Sequence, residues 1–320
     1  MLQEMNQLGA MKTPFLFIID FERKHPFIRP LDKIDSSEIL YKVNNLQNYD
    51  EPLKKRRDTK PILKKEPVTF SEYEKAFYHV VKNQKAGNSY LLNLTFPTKI
   101  TSDRTLKEIF FESRARYKLY FQDRFIVFSP ETFVIINDDI ISSYPMKGTI
   151  DASIPDAKNI ILNDAKEFAE HITIVDLIRN DLSMVSNNVQ VEKFRYCEKI
   201  KTSEKDLLQI SSKITGKLID KYRFNFGDLF EIILPAGSVT GAPKKKTVEI
   251  IKEAEKMPRN YFTGVFGIFD GRNIDSAVMI RYIEKTNGEF FYKSGGGITV
   301  YSEPEKEYRE MIIKVYVPLD

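Results

Sequence analysis

Lys147 stands in Pro145-Met146-Lys147-Gly148-Thr149, at the end of a β-type run from Phe133 to Tyr144. An amine is a nucleophile only when neutral, so a Lys aimed into a cleft can form a carbon–nitrogen bond through a covalent intermediate. The same Lys in a Gly/Thr turn between a strand and a polar loop can be a solvated charge. Both readings are open from this segment alone.

Two sets of carboxylates share the question. Asp164 with Glu167 fits a capping box at the start of a helix, and Glu167 and Glu170, three apart, share one face. Acids also favour a first helical turn for dipole reasons alone. Ser302-Glu303-Pro304-Glu305 can cap a second helix in the same way, on which Glu307, Glu310 and Lys314 form one stripe. Facing each other across a cleft, four carboxylates repel unless a cation sits between them. Oxygen ligands with several retained waters suit Mg²⁺.

Three segments could meet an anionic ligand. In Ser294-Gly295-Gly296-Gly297-Ile298 the bare backbone lets a ligand approach. Pro235 to Lys244 brings small residues to a helix start with Pro243 near its first turn, where free N–H groups can bind an anion. It does not fit a Walker A loop. Arg281 ends an apolar strand, where an Arg often holds a carboxylate, the ligand's or one of the chain's own.

Composition bounds these readings. The 320 residues are 42% hydrophobic, enough for a sizeable core. No apolar run approaches the roughly 18 residues of a spanning helix, and Met1 to Met5 lacks a signal-peptide pattern. A cytoplasmic globular protein is expected. With 49 basic and 45 acidic residues the surface is mixed, which is no nucleic-acid signature. Lys54-Lys55-Arg56-Arg57 reads as a solvated loop. One cysteine, Cys197, excludes an internal disulfide and reads as a structural or surface thiol. Three histidines (His25, His79, His171) speak against a His-rich zinc site. His171 reads as a packing residue, and Arg179-Asn180-Asp181 as a structural polar cluster.

The elements that must position these residues can be outlined. Strands are expected at Phe15–Asp20, Tyr90–Phe96, Phe262–Phe269, Ser276–Glu284 and Glu289–Tyr292. Tyr117–Phe128 and Thr132–Tyr144 read as a strand pair joined across Ser129-Pro130-Glu131. Helices are expected at 70–85, 106–116, 165–185 and 243–256 and after Ser302, and 44–66 as an exposed connection. Elements intermix without βαβ alternation, which favours α+β with large antiparallel sheets as a central core flanked by helices.

Together these segments resemble the chorismate-utilising enzymes, a family that includes the component I chains of anthranilate synthase and aminodeoxychorismate synthase, the isochorismate synthases and the salicylate synthases. The matching stretches, in order, are Ser129-Pro130-Glu131, Pro145 to Thr149, Ala169 to Leu182, Gly237 to Lys244, Thr263-Gly264 with Gly267, Ile280-Arg281, and Gly295 to Ile298 through Glu310 to Lys314. The resemblance implies a single chorismate-binding domain over 1–320, with 1–65 a shortened N-terminal part and 66–316 the catalytic core. It implies Glu170 and Glu310 as direct Mg²⁺ ligands and Glu167 and Glu307 as the water-mediated shell. The metal would hold the ring carboxylate. Arg281, Lys314 and backbone N–H groups at Gly295 and Gly297 would bind the enolpyruvyl carboxylate. Thr240 would line the same pocket, with Thr149 and Gln209 also against the substrate. Glu131 would be the acid/base carboxylate near the leaving oxygen.

Within that resemblance Lys147 chooses the branch. Anthranilate synthases usually carry Ala in this turn and aminodeoxychorismate synthases Lys. The Lys type implies attack on ring C2, loss of the C4 hydroxyl, attack of ammonia on C4 and departure of the lysine, giving 4-amino-4-deoxychorismate on the way to p-aminobenzoate and folate. Anthranilate, isochorismate or salicylate synthesis, or an inactive chorismate-binding module, are the alternatives. Two positions depart from the pattern: Gln209 stands in a His-[Leu/Ile]-Val-Ser patch, and Phe262 where relatives often place Tyr. The only cysteine lacks a glutaminase context, so ammonia is expected from a separate glutamine amidotransferase subunit, component II. Neither a nucleic acid nor a membrane is an expected partner.

Overall fold

The computed structural model describes residues 2–50, 63–200 and 206–318. The basic cluster Lys54 to Arg57 lies outside them.

The chain begins with helix α1 (Gln3–Ala10) and strands β1 (Phe15–Ile19), β2 (Phe27–Pro30), β3 (Ile39–Val43), β4 (Leu46–Gln47) and β5 (Leu63–Pro67). Helix α2 (Phe70–Lys85) starts where the Thr69 side chain accepts the N–H of Glu72, and it buries Tyr73, Phe77, Val80 and Val81 on one face. Then come β6 (Leu91–Ser102), α3 (Leu106–Glu112), β7 (Tyr117–Phe121), β8 (Phe125–Ser129), β9 (Thr132–Asn137), β10 (Ile140–Ser143) and β11 (Met146–Asp151). The middle holds α4 (Ala157–Asn163), α5 (Ala165–Ser183), the long paired strands β12 (Ser186–Ile200) and β13 (Leu207–Leu218), and α6 (Phe226–Ile233). The last third holds β14 (Gly241–Ala242), α7 (Lys244–Glu255), β15 (Val265–Phe269), β16 (Ile274–Val278), β17 (Tyr282–Thr286), β18 (Glu289–Ile298) and α8 (Pro304–Ile313).

These strands form two antiparallel nine-stranded sheets. One runs β11-β13-β10-β9-β16-β15-β1-β2, with β12 on β13; the other runs β14-β6-β18-β17-β8-β7-β3-β4, with β5 on β6. The expected α+β architecture is what the chain adopts. Alternation builds the layers. Leu16, Ile18, Phe266 and Ile268 of the first sheet meet Tyr117, Leu119, Phe125 and Val127 of the second in a shared core. Phe15, Phe17 and Ile19, from the other face of β1, pack under α5 and α6 with Ile174, Ile178 and Phe230. Helices α2, α7 and α8 cover β6 and β18 of the second sheet, and α3 covers β7 and β8. Strand β1 is buried along its whole length, so it reads as a continuous apolar run. Each such buried side chain stabilises the fold by about 1.5–3 kcal/mol. Strand β1 pairs with β15, and β5 spans residue 65 on β6.

Several expected elements differ. The runs 117–128 and 132–144 are each a hairpin, turned at Gln122-Asp123 and at Asp138, whose φ angles are positive. They do not pair with each other: β8 belongs to one sheet and β9 to the other, so Ser129-Pro130-Glu131 is a crossover. The run 276–284 likewise breaks into β16 and β17, in different sheets, across Met279 to Arg281. The two crossovers lie side by side, with the Val278 N–H on the Glu131 carbonyl and the Phe128 N–H on the Arg281 carbonyl, both 3.1 Å. The strand expected to stop at Tyr292 continues through the glycines to Ile298, because β6 pairs with them. Strand β6 itself runs on from Phe96 to Ser102, and β15 starts only at Val265. Helix α3 ends at Glu112, and the described parts of 44–66 include β4 and β5. Ser302 does not cap α8. Glu303 is the N-cap, and the Ser302 hydroxyl accepts the N–H of Thr299 instead.

Among the described residues no helix is long and apolar enough to cross a membrane.

Candidate functional site

Both sheet crossovers open into one cleft of ≈ 1860 Å³. Glu131 and Arg281 enter it from the crossovers, Lys147 and Thr149 from β11, and Gln209 from β13. Helix α5 contributes Glu167 and Glu170, β18 its glycines, and α8 Glu307, Glu310 and Lys314. Twelve of the thirteen side chains and glycines expected from the sequence therefore share this wall. Thr240 does not: it is fully buried, and its hydroxyl donates to the Ala236 carbonyl at 2.7 Å.

Lys147 is not in a turn. It lies in β11, where the register against β13 shifts between Met146 and Thr149 and Gly148 takes φ 78°. The bulge re-aims the side chain. Its Nζ reaches 3.3 Å from Oε2 of Glu170. A methyl group on Gly297 would stand 3.3 Å from that Nζ and 3.9 Å from the same Glu170 oxygen. A methyl on the next residue back, Gly296, would meet Glu307 Oε2 at 3.4 Å, Glu310 Oε1 at 3.7 Å and Lys314 Nζ at 3.8 Å. The glycine strand thus runs between the two carboxylate sets, and side chains there would fill the space. Strand β17 pairs with β18 only as far as Lys293, so beyond it one edge of the glycine run faces away from β6.

Position on α5 follows from its start. Asp164 caps the helix by accepting the N–H of Glu167 at 2.8 Å, which sets the phase that turns Glu167 and Glu170 to the cleft. On α8, Lys314 Nζ lies 2.6 Å from Glu310 Oε1 and 2.9 Å from the Gly295 carbonyl. Burial holds the Lys314 amine below the usual lysine range, against the pull of Glu310. The Arg281 guanidinium lies over the Tyr316 ring, 4.8 Å from its centre.

Glu131 is half-buried and accepts a hydrogen bond from the Ser238 hydroxyl on Oε1. Burial raises its carboxyl above the usual range, opposed by Ser238, Lys147 and Arg281. A carboxyl raised in this way is suited to the role of a general acid. His171 is buried, and its Nε2 meets the Ser212 hydroxyl at 2.7 Å. Burial, then Arg195 and Lys147, push it down to about 4. It is a neutral packing residue off the cleft wall, as its sequence suggested.

Sequence reasoning passed over Ser238 and Lys293, both on the wall. Lys293 is buried and paired with Glu284 at 2.9 Å. Its signal was available: it precedes Gly295 and Gly297 by two and four residues on one strand, hence on the same face. Cys197 is half-buried in β12. Asp181 is tied to Lys244 at 2.7 Å.

The donor set can be weighed for a metal. Among the described residues no three His, Cys, Asp or Glu side chains gather into a cage. An ion that takes two carboxylates and completes its sphere with water and substrate oxygens needs none. The carboxylates of α5 and α8 line one cleft, and oxygen donors of this kind suit such a hard cation.

Residues 15–320 match the family described as chorismate binding enzyme. A PabA-like protein of Haemophilus influenzae is 47% identical over 323 residues, covering 100% of this chain and 96% of that protein. Aminodeoxychorismate synthase component 1 of Escherichia coli is 31% identical over 265 residues, 78% of this chain and 57% of its own length. That of Bacillus subtilis is 33% identical over 270 residues, 78% of this chain and 55% of its own length. Among solved structures, anthranilate synthase component I from Streptococcus pneumoniae superposes with TM-score 0.69 at 25% identity, over 79% of this chain and 58% of that one. The Escherichia coli isochorismate synthase MenF gives 0.73 at 15% identity, over 98% and 79%, a likeness of fold.

Proposed function

This chain belongs to the chorismate-binding enzymes, and from that membership we propose that it aminates chorismate as component I of an aminodeoxychorismate synthase. The observation that carries the reading is Lys147, whose amine lies in the cleft 3.3 Å from Glu170 and against Gly297. An anthranilate-type reaction needs no amine there. The 31% and 33% identical relatives named aminodeoxychorismate synthase component 1 support the same branch.

In this reading the neutral Lys147 amine attacks ring C2 and the ring double bonds shift. The C4 hydroxyl then leaves as water, taking the proton of Glu131. Ammonia next attacks C4, the shift reverses, and Lys147 departs from C2. The proton shed by the incoming nitrogen returns to Glu131, so the cycle balances without an oxidant or reductant. Arg281 and Lys314 hold the enolpyruvyl carboxylate beside the open edge at Gly295 and Gly297. Gln209 and Thr149 face the ring from β13 and β11. Gln209 can hydrogen-bond a substrate oxygen but cannot shuttle a proton at neutral pH, which leaves Glu131 as the acid.

Glu170 and Glu310 would hold Mg²⁺ directly, with Glu167 and Glu307 behind water. Bound there, the ion would give the ring carboxylate a cation. Ammonia would come from a glutamine amidotransferase subunit.

The test is product analysis of chorismate with ammonium, with and without Mg²⁺. Aminodeoxychorismate is expected, in the presence of Mg²⁺ only. Anthranilate or isochorismate as product would replace this reading with the sister activity, and no turnover would leave a binding module.

A further inference from the structure

A second cavity, of ≈ 20 Å³, adjoins Glu131 and shares only Glu131 and Ser238 with the main cleft. It exceeds the roughly 10–15 Å³ that seats one water molecule and leaves no room for two. Its polar side chains are the carboxyls of Glu131 and Asp181 and the hydroxyls of Thr132, Ser143 and Ser238. Ser143 donates its proton to the Phe133 carbonyl at 2.8 Å, and Ser238 donates to Glu131 Oε1. The Thr132 hydroxyl meets that of Tyr117 at 2.8 Å, and Tyr117 gives its own proton to Asp275, so all three hydroxyl protons are committed and these side chains offer acceptors and a single donor, a protonated Glu131. Water complements that set: it gives two protons and accepts one.

Asp181 is buried and gripped by Lys244 at 2.7 Å, and Lys244 also donates to the Ile233 carbonyl at 2.8 Å. A side chain on Gly237 would press within 3.1 Å of the Asp181 carboxylate, so the loop that carries Ser238 packs directly on Asp181. Lys147 and Arg281 face Glu131 from the cleft, and Arg23 is the further charge near Lys244. The cleft side of Glu131 is therefore cationic, while the cavity side carries the Asp181 carboxyl, which burial raises and Lys244 pulls back toward the anion. A fixed anion reached through one polarised water disfavours ionisation of the carboxyl in front of it.

We propose that this cavity seats one ordered water bridging Glu131 to Asp181, and that Asp181, clamped by Lys244, is a positioning residue that keeps the proton on Glu131. The water rests on geometry alone; its consequence for turnover rests on the amination reading.

A crystal structure of the wild-type protein, at a resolution that orders solvent, is expected to show one water within hydrogen-bond distance of both carboxyls. No water there, or a water touching only one of them, overturns the proposal. Three variants give a second arm. Asp181→Asn removes the anion, so the descending limb of the kcat/KM–pH profile moves to lower pH. Ser143→Val fills the cavity and leaves the Asp181–Lys244 pair intact, and it moves the limb the same way. Lys244→Gln leaves the anion unbalanced and moves the limb to higher pH. A purely structural role lowers the melting temperature in these variants without moving the limb, and that outcome also overturns the proposal. If the wild type makes a different chorismate-derived product, the profiles are read on that product. The function reading then fails alone.

Discussion

The Nζ atom of Lys147 lies 3.3 Å from Oε2 of Glu170, an amine and a carboxylate from two elements, β11 and α5, that both line the cleft. One residue is expected to bond the substrate and the other to hold its metal. Lys147→Ala should lower aminodeoxychorismate formation by more than about 100-fold while leaving chorismate binding within a few-fold. Product chromatography and a binding titration separate the two. A variant that still aminates at the wild-type rate would show that ammonia attacks without a covalent intermediate.

Glu307 is buried on α8, one turn before Glu310. If it orients water around the ion, Glu307→Gln should raise the half-saturating Mg²⁺ concentration about 10- to 100-fold, with activity restored at high Mg²⁺. Glu310→Gln should lose most of the Mg²⁺ response, and chelation of the wild type should stop turnover reversibly. An unchanged Mg²⁺ titration for both variants would remove the metal from these carboxylates.

Two glycines near Lys147 separate fold from site. Gly148 takes φ 78°, and a methyl there would meet Glu167 Oε2 at 3.2 Å. Gly148→Ala should cost about 1–2 kcal/mol of stability, visible in urea unfolding. Gly297 has no such backbone demand, yet its methyl would stand 3.3 Å from Lys147 Nζ and 3.2 Å from Leu91 Cδ1. Gly297→Ala should fold normally and lose about 100-fold in kcat/KM, the scale of a misplaced reacting group. Equal stability loss in both variants would contradict this division.

The sequence made the elements legible wherever local rules decide them. Thr69 and Asp164 announce α2 and α5 through their caps, and Phe15 to Ile19 reads as a buried strand because both its faces are covered. It misled where the chain changes sheets. Ser129-Pro130-Glu131 looks like a turn between two paired strands, and 276–284 keeps one apolar pattern up to Arg281 and beyond, since each half is buried in its own sheet. Nothing local says which sheet a strand joins. The Gly295 to Gly297 run falls outside the expected strand for a related reason: its strand identity comes from pairing with Asn93 to Thr95, two hundred residues or more away. The family resemblance implies Thr240 in the cleft, but a turn of the loop directs its hydroxyl to Ala236.

Glu131 also leaves a mark on stability. Burial raises its carboxyl above the ordinary 4.5. Below that pH it is protonated whether the chain is folded or not, and it costs nothing. As the pH rises past 4.5 the unfolded chain releases the proton while the folded chain retains it, so the native state binds more protons and stability falls with pH. The loss levels off once the pH passes the folded value. Glu131→Gln removes this dependence. The variant should gain stability relative to wild type between acid and neutral pH, although it is expected to be catalytically impaired. Urea unfolding of both proteins across that range measures the difference. A gap that shrinks as the pH rises would mean that the folded protein favours the carboxylate, and Glu131 could not then be the acid.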